Sequence, residues 1–186
     1  MCNCDRLPRV DCETRVLVIQ QARERKSQSN TGALLAKILV NSRLVLHGLP
    51  GSLPDLSDLE DPAAGAVVLF PVPNAPVVSS GSAPFAPGRR RILVVLDATW
   101  PQARRMAHRI GPVRRLPFVR LPDGALPRFI LRKPRLPGYL STAESVAMAL
   151  SLVGETSAAE AVREGLATVA RTVLLERGRP VPAAWD

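Results

Sequence analysis

The chain has 186 residues, 46% of them hydrophobic, and a formal net charge of +9. That is apolar material for one well-formed core, expected to span 1–186 as a single domain, with 1–14 as a cysteine-containing N-terminal segment and 180–186 as a tail. No apolar run approaches the roughly 20 residues that cross a bilayer, which excludes a helical membrane protein, and Met1-Cys2-Asn3-Cys4-Asp5 lacks the basic and apolar regions of a secretory signal, so a cytoplasmic location is expected.

Three cysteines, Cys2, Cys4 and Cys12, crowd the start of the chain. An odd number in one terminus is not a disulfide framework. A zinc site wants four ligands, and the two histidines, His47 and His108, are distant in sequence. Free thiols and no metal are expected.

Arg15-Val16-Leu17-Val18-Ile19-Gln20 reads as a buried strand. A polar loop follows, and Asn30 or Thr31 caps a helix through Leu34, Leu35, Ile38 and Leu39. Arg43–His47 is a second strand, and 48–65 is turn-rich loop with a little helix. Ala66–Phe70 is a third strand, stopped by Pro71 and Pro73. After a Pro/Ser/Gly-rich loop, Arg91–Leu96 is the fourth.

The next helix is amphipathic. Ala103, Met106, Ala107 and Ile110 share one face; Arg104, Arg105, His108 and Arg109 share the other; Gly111-Pro112 ends it. Residues 117–131 give one or two short strands broken by Pro122 and Pro127. Ser141-Thr142-Ala143-Glu144 is a capping-box sequence, and Ser157 with Glu160 repeats it before a longer helix ending near Gly178 and Pro180. Alternating strands and helices imply an α/β fold, a mostly parallel sheet flanked by helices on both faces.

The positive charge is local. From Arg89 to Arg135 there are 13 Arg or Lys against two acids, Asp97 and Asp123, while the rest of the chain carries 12 basic and 14 acidic residues. Only three of the basic residues are lysines, Lys26, Lys37 and Lys133, and arginine suits bidentate phosphate contact. A polyanion partner, nucleic acid first, is the expectation.

Asp97-Ala98-Thr99-Trp100 joins the apolar strand Ile92–Leu96 to this basic helix. In open α/β sheets ligands bind outside the carboxyl ends of strands, where this tetrapeptide lies. Asp97 alone also reads as a cap or turn former, and Trp100 as core. Asn30-Thr31-Gly32 reads as a plain helix start. Ser141 with Glu144 is explained by capping, though a helix start also offers N–H groups to an anion. Tyr139-Leu140-Ser141-Thr142 reads equally as loop packing.

Order and spacing together carry more. Arg23-Glu24 with Asn30-Thr31-Gly32, Leu69-Phe70-Pro71, Asp97-Ala98-Thr99-Trp100 with Gln102-Ala103-Arg104, Arg132-Lys133-Pro134 and Leu140-Ser141-Thr142-Ala143-Glu144 follow one another in the order of the DTW-domain family, which the chain resembles over about 15–155. The chain departs from that pattern at Gln21-Ala22, where a His-Pro is usual, and keeps only Cys2 and Cys4 of an N-terminal cysteine ribbon.

The resemblance implies a tRNA-uridine aminocarboxypropyltransferase. Such an enzyme transfers the 3-amino-3-carboxypropyl group of S-adenosylmethionine to a uridine imino nitrogen and releases methylthioadenosine. It also implies a SPOUT-like fold with a C-terminal knot, a feature that periodicity does not show. A non-catalytic RNA-binding module and a SPOUT-like RNA methyltransferase are the alternatives.

On this reading Trp100 packs near the sulfonium methyl group. Asp97 is the general base for the uridine imino proton, the partner of the cofactor amine, or a structural cap. Leu69, Phe70, Pro71, Thr99, Leu140, Ser141 and Thr142 complete the cofactor site. The leaving group carries its own activating charge, so no metal is required. Arg89, Arg90, Arg104, Arg105, Arg109, Arg132 and Lys133 are expected to meet tRNA. No membrane and no obligate protein partner are expected.

Overall fold

Strands buried on both faces need near-continuous apolar sequence, and this chain has four such runs. In the computed structural model, which describes residues 4–26, 30–81, 84–124 and 140–182, they form β1 (Arg15–Gln21), β2 (Ser42–His47), β3 (Ala64–Leu69) and β4 (Arg90–Asp97), with α1 (Gly32–Ile38) between the first two. Then come α2 (Trp100–Arg109), a two-residue β5 (Phe118–Val119), α3 (Thr142–Leu152) and α4 (Thr156–Glu176). All four strand pairs are parallel, in the order β2-β1-β4-β3-β5. β4 thus lies at the centre, which suits its having the longest apolar run.

Side chains alternate across the sheet. Val16, Val18, Val67, Leu69, Leu93 and Val95 meet α1, α3 and α4 on one face. Leu17, Ile19, Val68, Ile92, Val94 and Leu96 meet Ala103, Met106, Ala107 and Ile110 of α2 on the other. The expected apolar and basic faces of α2 are observed: Arg104, Arg105, His108 and Arg109 are exposed.

One expectation changes, and another is met by a single short strand. Ser157 and Glu160 do not cap a helix; both lie inside α4, which starts at Thr156. Gly154, at φ 92°, turns the chain after α3, and the Glu155 carboxylate accepts the N–H of Thr14 at 2.9 Å. Strand structure after residue 117 is limited to β5 and an isolated bridge from Val77 to Arg120 among the described residues. The stretch around Pro127, the path on which a knot depends, Tyr139, Cys2 and Trp185 lie outside them.

Cys12 is a free thiol whose Sγ donates to the carbonyl of Thr14 at 3.2 Å. Burial and then the neighbouring Glu155 carboxylate push it up to about 12, so it is a protonated thiol at neutral pH.

α4 crosses α1 at a glycine. A Cβ at Gly165 would lie 2.2 Å from Cδ1 of Ile38, which is fully buried. Gly165→Ala should therefore cost about 1–3 kcal/mol by overpacking, more than the roughly 1 kcal/mol that alanine gains over glycine in a helix. Added to Ile38→Val, which lacks that Cδ1, the same change should be neutral or stabilising. Urea unfolding of the single and double variants measures both signs.

Candidate active site

After their opening arginines β1 and β4 are apolar until near their ends, where Gln20 and Asp97 stand opposite each other in register. Both are buried, Gln20 at 2% and Asp97 at 6% exposure. A carboxylate taken out of water needs donors. Asp97 Oδ2 accepts from Gln20 Nε2 at 2.8 Å, and Oδ1 accepts from the Thr142 hydroxyl at 2.7 Å. The starts of two helices meet here: Thr142 opens α3, and Gly32 opens α1 with its Cα against Asp97. The positive ends of both helix dipoles favour the negative charge.

The neighbouring motifs close the junction. Asn30 Oδ1 accepts the N–H groups of Gly32 and Ala33 at 2.9 and 3.2 Å, and so does the capping expected of it. Thr31 instead accepts the N–H of Ala143 at 3.2 Å, tying α1 to α3. Ser141 and Glu144 form the expected capping box: Ser141 N donates to Glu144 Oε2 at 2.8 Å, and Glu144 N to Ser141 Oγ at 3.3 Å. The N–H groups of Ser141, Ala143 and Glu144 are thus already engaged. Thr99 caps α2 with Gln102, whose Oε1 accepts the backbone N–H and the hydroxyl of Thr99 at 3.0 and 2.6 Å.

Beside the junction lies a cleft of about 390 Å3 at the carboxyl ends of β3, β4 and β5. A ligand-sized cleft is expected there, because the chain leaves β3 and β4 toward opposite faces of the sheet. Leu69, Phe70 and Pro71 wall one side, and Leu140, Thr142 and Ser145 the other. Trp100 stands at the mouth, 39% exposed, its ring tilted on that of Phe70 with centroids 5.5 Å apart.

Six of the nine expected cofactor residues therefore line the cleft: Leu69, Phe70, Pro71, Trp100, Leu140 and Thr142. Asp97, Thr99 and Ser141 stand behind it as tie and caps. Ala103, one turn after Trp100, also faces the cleft, as does Arg120, whose Nη1 meets Asp123 Oδ2 at 3.1 Å. Sequence reading missed Gln20, Gly32, Ala103 and Arg120 as site residues. The available signal for Gln20 was a polar residue closing an apolar strand.

The expected RNA-binding arginines divide between two places. Arg104, Arg105 and Arg109 lie on the exposed face of α2. Arg89 and Arg90 precede or open β4, about 23 Å from Asp97 at ~3.3 Å per residue. There Arg90 pairs with Asp61, and Arg89 donates to the carbonyl of Pro62. Arg132 and Lys133 lie outside the described residues.

A family model for the DTW domain matches residues 1–174. The chain belongs to the DTW domain family. Among solved structures this DTW domain is similar to one described as the SAM-dependent rRNA:acp-transferase Tsr3 from Vulcanisaeta distributa. The match has a TM-score of 0.55 and 20% sequence identity over 88% of this chain and 79% of that one. At that identity the likeness is one of fold. The aspartate and tryptophan of the family's motif part company in this chain: Asp97 holds the scaffold, and Trp100 meets the cleft.

Removing the central carboxylate leaves the Gln20 and Thr142 donors without their partner. Asp97→Ala should lower stability by about 1–3 kcal/mol for each donor left buried and unpaired. Gly32→Ala, whose Cβ would lie 2.4 Å from Asp97 Oδ2, should also destabilise. Thermal unfolding tests both; an unchanged Tm for Asp97→Ala would contradict the central role of this carboxylate.

Proposed function

We propose that this protein is an S-adenosylmethionine-dependent RNA aminocarboxypropyltransferase that modifies a uridine of tRNA at its ring imino nitrogen. One observation carries the reading: the motif tryptophan stands against Phe70 at the mouth of a cleft walled by two other family segments, Leu69-Phe70-Pro71 and the one that begins Leu140-Ser141-Thr142. Membership of the DTW family and a fold shared with an rRNA:acp-transferase support it.

The cleft fits the donor in size and chemistry. It offers an apolar wall, an aromatic face, the paired Arg120 guanidinium and Asp123 carboxylate, and the hydroxyls of Thr142 and Ser145. S-adenosylmethionine, when bound, would supply a sulfonium, so that the uridine imino nitrogen gives up its proton to solvent and forms an N–C bond as the S–C bond to the aminocarboxypropyl chain breaks and methylthioadenosine leaves.

The protein's task is to select one of the three carbons on that sulfur. Trp100 and Ala103, adjacent on α2, cover the methyl group, and the indole face favours the positive charge. Leu69, Phe70 and Pro71 wall the adenine. The hydrogen of the Thr142 hydroxyl is committed to Asp97, so its oxygen accepts from the cleft, and an ammonium is the suitable donor. Asp97 then acts through Thr142 as a positioning residue. Water is kept from the sulfonium by the Trp100–Phe70 pair.

A product assay with S-adenosylmethionine and unmodified tRNA or rRNA transcripts tests the reaction. Methylthioadenosine with tRNA alone is the expected result. S-adenosylhomocysteine would indicate a methyltransferase, and neither product a binding module. Trp100→Ala should reduce transfer at least tenfold and divert part of it to methyl transfer or hydrolysis.

Thr142→Val and Asp97→Asn separate the roles of the carboxylate. If Asp97 acts through Thr142, both variants raise the KM for the donor by a similar factor and kcat at saturation largely survives. A kcat lost in Asp97→Asn alone would make Asp97 the general base.

A further inference from the structure

Ten of the arginines form two electrostatically distinct groups. Arg15, Arg43, Arg90, Arg91 and Arg120 each face a carboxylate, respectively of Asp58, of Asp55 and Asp58, of Asp61, of Glu13 and of Asp123. Arg104, Arg105, Arg109, Arg114 and Arg115 are all exposed, and no ion pair reaches any of them among the described residues.

These five lie on α2 and the turn that directly follows it. Arg105 and Arg109 are four apart on α2, so like charges are stacked on one helix face, an arrangement that destabilises a helix. Arg114 and Arg115 follow on the 3-10 turn Val113–Arg115. That turn is fixed to the end of α2 by the bond from Arg114 N to the carbonyl of Ile110 at 3.0 Å and by the fully buried Val113. No acid occurs between Trp100 and Pro117. A general preference for arginine does not explain this. The exposed positions of α4 and its end mix both signs, Glu160, Glu164 and Glu176 among Arg163, Arg171, Arg177 and Arg179.

We infer that RNA phosphates dock on the exposed arginine face formed by α2 and the turn after it, and that the arginines opening β4 are not part of this surface. The inference rests on the RNA-modifying reading above and assigns its docking face. α2 begins with Trp100 at the cleft mouth. At 1.5 Å per residue, Arg104 lies about 6 Å and Arg109 about 14 Å further along the axis. Phosphates held there belong to nucleotides close to the one entering the cleft. The face offers guanidinium groups and few rings, so it grips backbone rather than stacking on bases.

The test is the affinity of an unmodified tRNA transcript for the full-length protein, measured by fluorescence anisotropy over a salt series. Three double variants each remove two charges: Arg114→Ser with Arg115→Ser, Arg89→Ser with Arg90→Ser, and Arg163→Ser with Arg177→Ser. The slope of log K against log salt should become shallower by about 0.7–0.9 per lost phosphate contact in the first variant and stay unchanged in the other two. An unchanged slope in the first variant, or an equal loss in all three, overturns the inference. Wild-type protein that binds tRNA without salt dependence, or not at all, overturns it together with the tRNA reading. The wild-type curve therefore distinguishes the two failures.

Discussion

The arrangement of this molecule depends on one buried carboxylate. Asp97 receives the side chain of Gln20 from β1 and that of Thr142 from α3, and the backbone of Gly32 closes on it from α1. Three of the four buried polar side chains among the described residues, Gln20, Thr31 and Asp97, belong to this junction. An apolar core attracts without direction, whereas hydrogen bonds to a desolvated carboxylate fix angle and distance. The sheet and its helices would collapse together with many side chains; the junction specifies how their ends meet.

The division of labour inside the D-x-T-W segment follows. Asp97 ends its strand and ties the ends together, Thr99 caps α2 through Gln102, and Trp100 is thereby the first residue of a helix whose start cannot drift. On the proposed reading the ring shields one carbon and leaves its neighbour open, which requires it to be held to a fraction of an ångström. Two of the motif's three named side chains serve that placement, and only the third meets the cleft.

The sheet and the helices were legible in the sequence because their signals are local. Val16 to Ile19 and Ile92 to Leu96 are apolar without alternation, and α2 separates its apolar and basic faces at helical spacing. Ser141 with Glu144 named a capping box that exists; Ser157 with Glu160 named one that does not, because Gly154 and Glu155 had already turned the chain and started the helix. The junction was not legible. Gln20 and Asp97 are 77 residues apart, and only the parallel register of β1 with β4 makes them neighbours. Charge counting along the sequence could not show where these arginines lie, for the same reason. Arg89 and Arg109 fall in one basic stretch of sequence, yet a strand separates them from each other, and acids from 55–61 and from Glu13 neutralise the arginines at the far rim.

The position of the cleft then has a physical cause. The connection after β3 passes to the face where Val78 and Phe85 pack with α1, α3 and α4, and the one after β4 to the face that carries α2, so the ends of these neighbouring strands part. Nothing in that divergence sets the width of the opening. The width is set by α3, whose first residue is bonded to Asp97 and whose second is bonded to Thr31. Thr142 belongs to both structures, as a donor to the junction and a wall of the cleft. A change at Gln20 or Gly32, neither of which lines the cleft, reaches it through Asp97 and that side chain, and a change at Thr31 through the backbone of Ala143.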